Sequence, residues 1–204
     1  MTVTPAKRRR EVTVERLLDA ALETFADTGF AAASVEDVCR RGGFTRGAFY
    51  SSFSTKHELF AALMTREMAR HLADAERLLA DVAGAPDPLA AAVDRVTGLL
   101  AASRTWTLVL TEYQLLAARD PAAAALLAEH GAGVAEQVAA VVVRATRTAG
   151  VDLAVPPAEV AHAFLALHHG LALGAASNPG APAALERSAL LALLRGVTVP
   201  APTS

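Results

Sequence analysis

The chain has 204 residues, 53% of them hydrophobic and 5% aromatic, with a formal net charge of −2 and one cysteine. A lone cysteine excludes an intrachain disulfide and a cysteine-rich metal site. No uninterrupted apolar run approaches the ~20 residues that span a bilayer, and no apolar segment follows Lys7-Arg8-Arg9-Arg10, so a cytoplasmic protein without a membrane partner is expected. Alanine and leucine dominate and both favour helix, which makes an all-α chain the expectation.

Residues 1–12 read as an arm. Lys7 to Arg10 is either a solvated charge run or a strand of positive charge for phosphates or the minor groove. Thr13 stands where a helix cap belongs. Behind it, Val14, Leu17, Leu18, Ala21, Leu22 and Phe25 recur at helical spacing. Gly29 suits a left-handed stop, with Phe30 supplying the apolar contact that accompanies one. Ser34 with Asp37 three residues on approximates a capping box for a second, short helix. Val35, Val38 and Cys39 form its inward face. Cys39 reads more readily as a buried thiol than as a redox sensor.

Gly42-Gly43 then allows a reversal with positive φ, and Thr45 offers a hydroxyl to cap a new helix. That third helix has room for about two turns before Ser54-Thr55, too few to be stable alone. Phe49 and Phe53 give it one apolar face. Its other face carries Arg46, Gly47, Ala48, Tyr50, Ser51 and Ser52, a surface poor at building a core and suited to a polar, anionic partner. Between Val38 and His57 there are four basic residues and no acidic one. Residues 1–56 hold nine Lys/Arg against seven Asp/Glu, leaving ten against fourteen in the rest. A basic head on an acidic body suits docking on nucleic acid by one end.

Thr55-x-x-Glu58 is a second capping box. It opens a stretch of about 28 residues, some 40 Å of helix, long enough to connect a head to a body. Gly84-Ala85-Pro86-Asp87-Pro88 ends it. Further helices are expected over about 88–102, 104–118, 121–149, 156–176 and 183–197. The break before the last is Asn178 to Pro182. Val151 to Val155 is too short to overturn an all-α reading.

The run Gly43-Phe44-Thr45-Arg46-Gly47-Ala48-Phe49-Tyr50-x-x-Phe53-x-x-Lys56-x-x-Leu59-Phe60 resembles the DNA-binding signature of the TetR family of bacterial transcriptional regulators. The resemblance extends back through Leu17 to Phe30 and covers about residues 12 to 64. It implies an N-terminal three-helix helix-turn-helix DNA-binding domain over 1–54 and a larger helical ligand-sensing and dimerisation domain over 55–204. Matched to the family motif, Arg46, Gly47, Ala48 and Ser51 would face base edges. Thr45, Tyr50, Ser52, Lys56, Ser34 and His57 would face the phosphate backbone. Family members often carry an aromatic residue or histidine where this chain has Ser51-Ser52, which bears on the target sequence.

The partners so implied are a double-stranded DNA operator, a small, mainly apolar effector, and a second copy of the chain joined through the last two helices. In that pairing Ala161, Leu165, His168, Ala172, Leu190, Leu191 and Leu194 would meet, with Gly170 and Gly174 permitting close approach. Trp106 and Tyr113 fall on one helical face with Glu112 nearby. An aromatic stripe is more often core than ligand box, yet their N–H and O–H need partners. The candidate effector site is therefore Trp106 and Tyr113, with Phe164 and His168 across a cavity. His162 and His169 are too far apart in sequence to suggest a metal pair, and no cofactor is expected. No nucleophile–base set, phosphate-cradling loop or paired carboxylates stand out, so the chain is not read as an enzyme. The alternatives are an activator of the same family and an all-α enzyme that carries a helix-turn-helix.

Overall fold

The computed structural model describes residues 5–101, 104–178 and 184–201. The helices are α1 Pro5–Thr28, α2 Val35–Gly42, α3 Arg46–Tyr50, α4 Lys56–Leu79, α5 Pro88–Ala101, α6 Arg104–Ala117, α7 Pro121–Thr148, α8 Pro157–Ser177 and α9 Ala184–Gly196. Expected and observed helix ends agree within a few residues from α5 onward. The expected break at 179–182 lies outside the described residues.

The arm over 1–12 is corrected from residue 5 onward. The helix starts at Pro5 and runs through Thr13, which sits inside it. Ala, Lys, Arg and Glu are all good helix formers, so nothing in 6–11 stops the helix from extending backward to a proline, which is favoured in a first turn. At the other end Gly29 takes φ 80° and its N–H donates to Phe25 O at 2.9 Å.

The chain divides into two compact units. One comprises residues up to Glu67 together with Leu108–Leu127; the other comprises Met68–Thr107 and Ala128 onward. In the first unit α1 packs on α2 and α2 on α3, around buried Leu17, Leu18, Phe25, Phe30, Val38, Phe49, Leu59 and Phe60. Helix α1 carries Glu11, Glu15, Asp19, Glu23 and Asp27 at four-residue intervals, a spacing at which like charges repel. Arginines from other helices offset this. Arg66 of α4 lies 2.8 Å from Asp19 and 3.4 Å from Glu15, and its Nε donates to Glu67 at 3.0 Å. Arg41 of α2 lies 2.5 Å from Asp27 and 3.5 Å from Glu23.

In the second unit, Leu89 and Val93 of α5, Val138, Ala139 and Val142 of α7, Val160 and Ala161 of α8, and Leu190, Leu191 and Leu194 of α9 form one core. This corrects the expected partner-facing role of Leu190, Leu191, Leu194 and Ala161. They are spent inside the chain, because the apolar stripe of α9 meets α5 and α8. Two short strands, β1 Val151–Leu153 and β2 Thr198–Pro200, pair antiparallel with Val151 opposite Pro200 and Leu153 opposite Thr198. Gly150, at φ 72°, turns the chain into β1. Helices α7 and α8 are each long and apolar enough to cross a membrane by length and composition. The expectation that no such stretch exists counted only unbroken apolar runs, whereas these helices are rich in alanine with few charges.

Arg66 is the least exposed of these cations, its side chain 8% accessible. Arg66→Met should cost about 3–5 kcal/mol in urea unfolding, because it takes the counter-charge from Glu67, whose side chain is only 9% exposed. An unchanged midpoint would show that α1 tolerates its acidic stripe unaided.

Candidate nucleic-acid interface

Three caps build the helix-turn-helix. Ser34 Oγ accepts from Asp37 N at 3.1 Å, and Asp37 Oδ2 accepts from Ser34 N at 3.0 Å. The Ser34 hydroxyl also donates to that carboxylate at 2.5 Å. These bonds from Ser34, side chain first, hold the Asp37 carboxyl below its ordinary pKa. Gly43 ends α2 at φ 70°, and Phe44 N donates to Cys39 O at 2.8 Å. Gly42 must be small: an added Cβ would lie 2.8 Å from Phe44 and 3.2 Å from Ala20. Thr45 then caps α3, its Oγ1 accepting from Ala48 N at 3.2 Å. Phe49 and Phe53 are buried with ring centroids 5.8 Å apart, which fixes α3 against the unit from below.

The outward face of α3 presents Thr45, Arg46, Gly47, Tyr50 and Ser51 exposed and Ala48 half-buried. Tyr50 is 49% accessible. A Cβ at Gly47 would meet nothing nearer than Thr45 Oγ1 at 3.7 Å, so the fold itself does not demand glycine there. Ser51 Oγ donates to Ala48 O at 2.7 Å. Arg10 of α1 approaches the same turn, its Nη2 3.5 Å from Ser51 O.

Three expected backbone contacts are corrected. Ser52 Oγ is sealed from solvent and has no hydrogen-bond partner among the described residues, so it faces inward rather than toward a phosphate. Lys56 Nζ donates to the carbonyls of Phe30 at 2.6 Å, Ala33 at 2.7 Å and Ala31 at 3.3 Å, and sits 4.5 Å from the Phe30 ring centroid. Its ammonium ties down the α1–α2 connector, and partial burial lowers its pKa. His57 Nδ1 lies 2.8 Å from the buried Tyr113 hydroxyl, so that nitrogen is turned into the unit. The Thr55–Glu58 box is shifted by one residue. Thr55 Oγ1 accepts from Glu58 N at 3.0 Å, while Glu58 accepts from Ser54 N at 2.7 Å.

Tyr113 is likewise corrected from cavity wall to core. Its ring is fully buried, stacked on Phe60 at 3.8 Å and edge-on to Phe30 at 4.7 Å. Next to it, Glu112 accepts from Phe30 N at 2.9 Å. Trp106 is buried in the second unit, so helical spacing did not bring it and Tyr113 into one unit. Phe164 packs against the second unit's core. His168 Nδ1 lies 2.6 Å from Glu186 Oε1 and so links α8 to α9. Burial, and then the neighbouring His168, lower the pKa of His169. His162 Nδ1 is 2.7 Å from its own helix's Ala158 O, and among the described residues no three His, Cys, Asp or Glu could hold a metal ion.

Residues 17–63 match the profile of bacterial regulatory proteins of the tetR family. Over those residues the chain carries a TetR-family head. An uncharacterised helix-turn-helix transcriptional regulator of Mycobacterium bovis is 30% identical over 112 residues, 55% of each chain. The match thus spans about half of that relative. A transcriptional regulator from a Rhodococcus species superposes with a TM-score of 0.66 at 27% identity, over 90% of this chain and 95% of that one. FadR of Bacillus subtilis, solved with stearoyl-CoA, superposes with a TM-score of 0.67 at 18% identity, over 90% and 98%, which shows a shared fold.

The matched span takes in the exposed residues of α3 and Lys56, but not Glu112 and Tyr113, which brace Phe30. Sequence reasoning missed Glu36, whose carboxylate lies 2.6 Å from Arg46 Nη1, because no local spacing marks a pair ten residues apart. It noted Glu112 without finding its bond to Phe30. Burial, and then Asp120, push the Tyr113 hydroxyl from 10.0 up to about 12. The stabilisation from keeping it protonated is complete below about pH 10 and lost as pH rises toward about 12. Across that window wild-type stability in urea should fall more steeply than that of Tyr113→Phe. Parallel curves would place the phenol in contact with solvent.

Proposed function

We propose that the chain is a homodimeric, ligand-responsive transcriptional repressor that binds a pseudo-palindromic operator. Residues 1–54 would read DNA and 55–204 would sense and dimerise. The observation that carries this reading is the outward face of α3. Its polar and small side chains are exposed on a helix of five residues that caps and two buried phenylalanines hold rigidly. Arg46 can grip guanine O6 and N7, Ala48 can offer a methyl to thymine, and Gly47 lets the helix approach base edges closely. Ser34 and Thr45 at helix starts, with Tyr50 and Arg10, remain for the backbone. Selection from a random duplex pool should return a symmetric site. Arg46→Ala should then cost about 1–3 kcal/mol at that site and relax one base pair per half-site. Failure of the wild type to select any sequence would overturn the reading.

Dimerisation through α8 and α9 would use their outer faces. Helix α8, though apolar, buries only Val160 and Ala161 fully. Leu185 is 47% accessible, and a Cβ at Gly170 or Gly174 would meet nothing within 4 Å. Gly174→Arg thus fits the isolated chain and should block the approach of a second copy. Sedimentation should find the wild type dimeric and the variant monomeric at micromolar concentration; equal mass would remove α8 from the interface.

The effector would be a mainly apolar molecule received in the second unit near Trp106, Phe164 and His168. FadR, of the same fold, takes a long acyl thioester. Release from DNA would follow if the effector favours a non-binding population, and tenfold weaker binding needs about 1.4 kcal/mol of coupling. Helix α4, which has residues in both units, is the candidate route.

A further inference from the structure

Glu36 is the one acidic side chain within 4 Å of a base-reading candidate among the described ion pairs. It lies in the first turn of α2 and has no part in the cap, which Ser34 and Asp37 complete. Its carboxylate is 47% and the Arg46 side chain 60% exposed, so burial enforces neither conformation. The Arg46 guanidinium also lies 5.7 Å from the Tyr50 ring centroid. In the free protein Arg46 is therefore held from two sides, one electrostatic and one aromatic.

We propose that Glu36 is a specificity-determining residue, which restrains Arg46 from phosphates and releases it to a guanine. The inference rests on α3 being the reading helix. An exposed ion pair is worth about 0.2–1 kcal/mol, so a contact must exceed that modest threshold to extract Arg46. Guanine meets it with two acceptors at a fixed position in the groove. A phosphate met in a non-specific complex competes on charge alone, and Glu36 both neutralises Arg46 and repels the phosphate. Removing the carboxylate charge should therefore strengthen binding to any duplex, and strengthen it least where guanine already holds Arg46.

The test uses the purified full chain and two probes: a duplex selected by the wild type from a random pool, and a scrambled duplex of the same composition. Glu36→Gln keeps shape and removes charge. One added positive charge steepens the salt dependence by about 0.9, which near 0.1 M salt corresponds to about eightfold tighter binding. The scrambled duplex should gain about that factor and the selected duplex clearly less, so that the ratio of the two affinities falls at least threefold. In an Arg46→Ala background the same substitution should leave the ratio unchanged. An equal gain on both probes, no gain on either, or a ratio that falls equally without Arg46 would each overturn the proposal. Lack of any selected duplex would instead refute the DNA-binding reading itself.

Discussion

The connector between α1 and α2 has carbonyl oxygens that no helix can use, and Lys56 takes three of them. Connector carbonyls outside a helix need donors as much as helical ones do, and an ammonium with three N–H groups can serve all three. Glu112 completes the clamp from the other side by accepting the Phe30 N–H. Between them Phe30 is enclosed by Phe25, Phe60, His57 and Tyr113. The start of α2, and through it the aim of α3, depends on this knot. A side chain at Gly29 would strike it directly, since an added Cβ would lie 2.8 Å from the Glu112 carboxylate.

Local chemistry was legible in the residues. Gly29 and the Gly42-Gly43 pair announced turns of positive φ, and Ser34 and Thr45 announced caps, because a cap is a contact between residues three apart and needs no knowledge of the fold. Phe49 and Phe53 could be assigned inward by spacing alone. The division of labour among polar side chains was not legible in the same way. Lys56 and His57 sit at a helix start, where proximity to a phosphate is plausible. Their actual partners, Phe30 O and Tyr113, lie 26 and 56 residues away in sequence. Ser52 differs from Ser51 only by which side of a turn its hydroxyl takes. The beginning of α1 was misread because Thr13 was taken as its cap, when the lysine and arginines before it are good helix formers and Pro5 can open the helix.

The second unit shows the opposite limit. Its helix ends were readable from Pro, Gly and Asp, but the faces of α9 were not. Leu190, Leu191 and Leu194 look equally fit for a partner or for an internal core, since both want apolar side chains at the same spacing. Only the positions of α5 and α8 decide between them. A sequence this rich in alanine blurs the matter further, because small side chains leave little contrast between buried and exposed faces.

The ribbon of β1 and β2 joins residues separated by almost fifty positions, with α8 and α9 between them. Closing so long a loop costs chain entropy that three pairs of extended residues cannot recover alone. The two helices must therefore collapse on α5 and α7 before the strands can meet. Since β2 follows α8 and α9 in the chain, its pairing with β1 waits until both helices have been made. The ribbon thus acts as a clasp that shuts only once the two helices it encloses are in place.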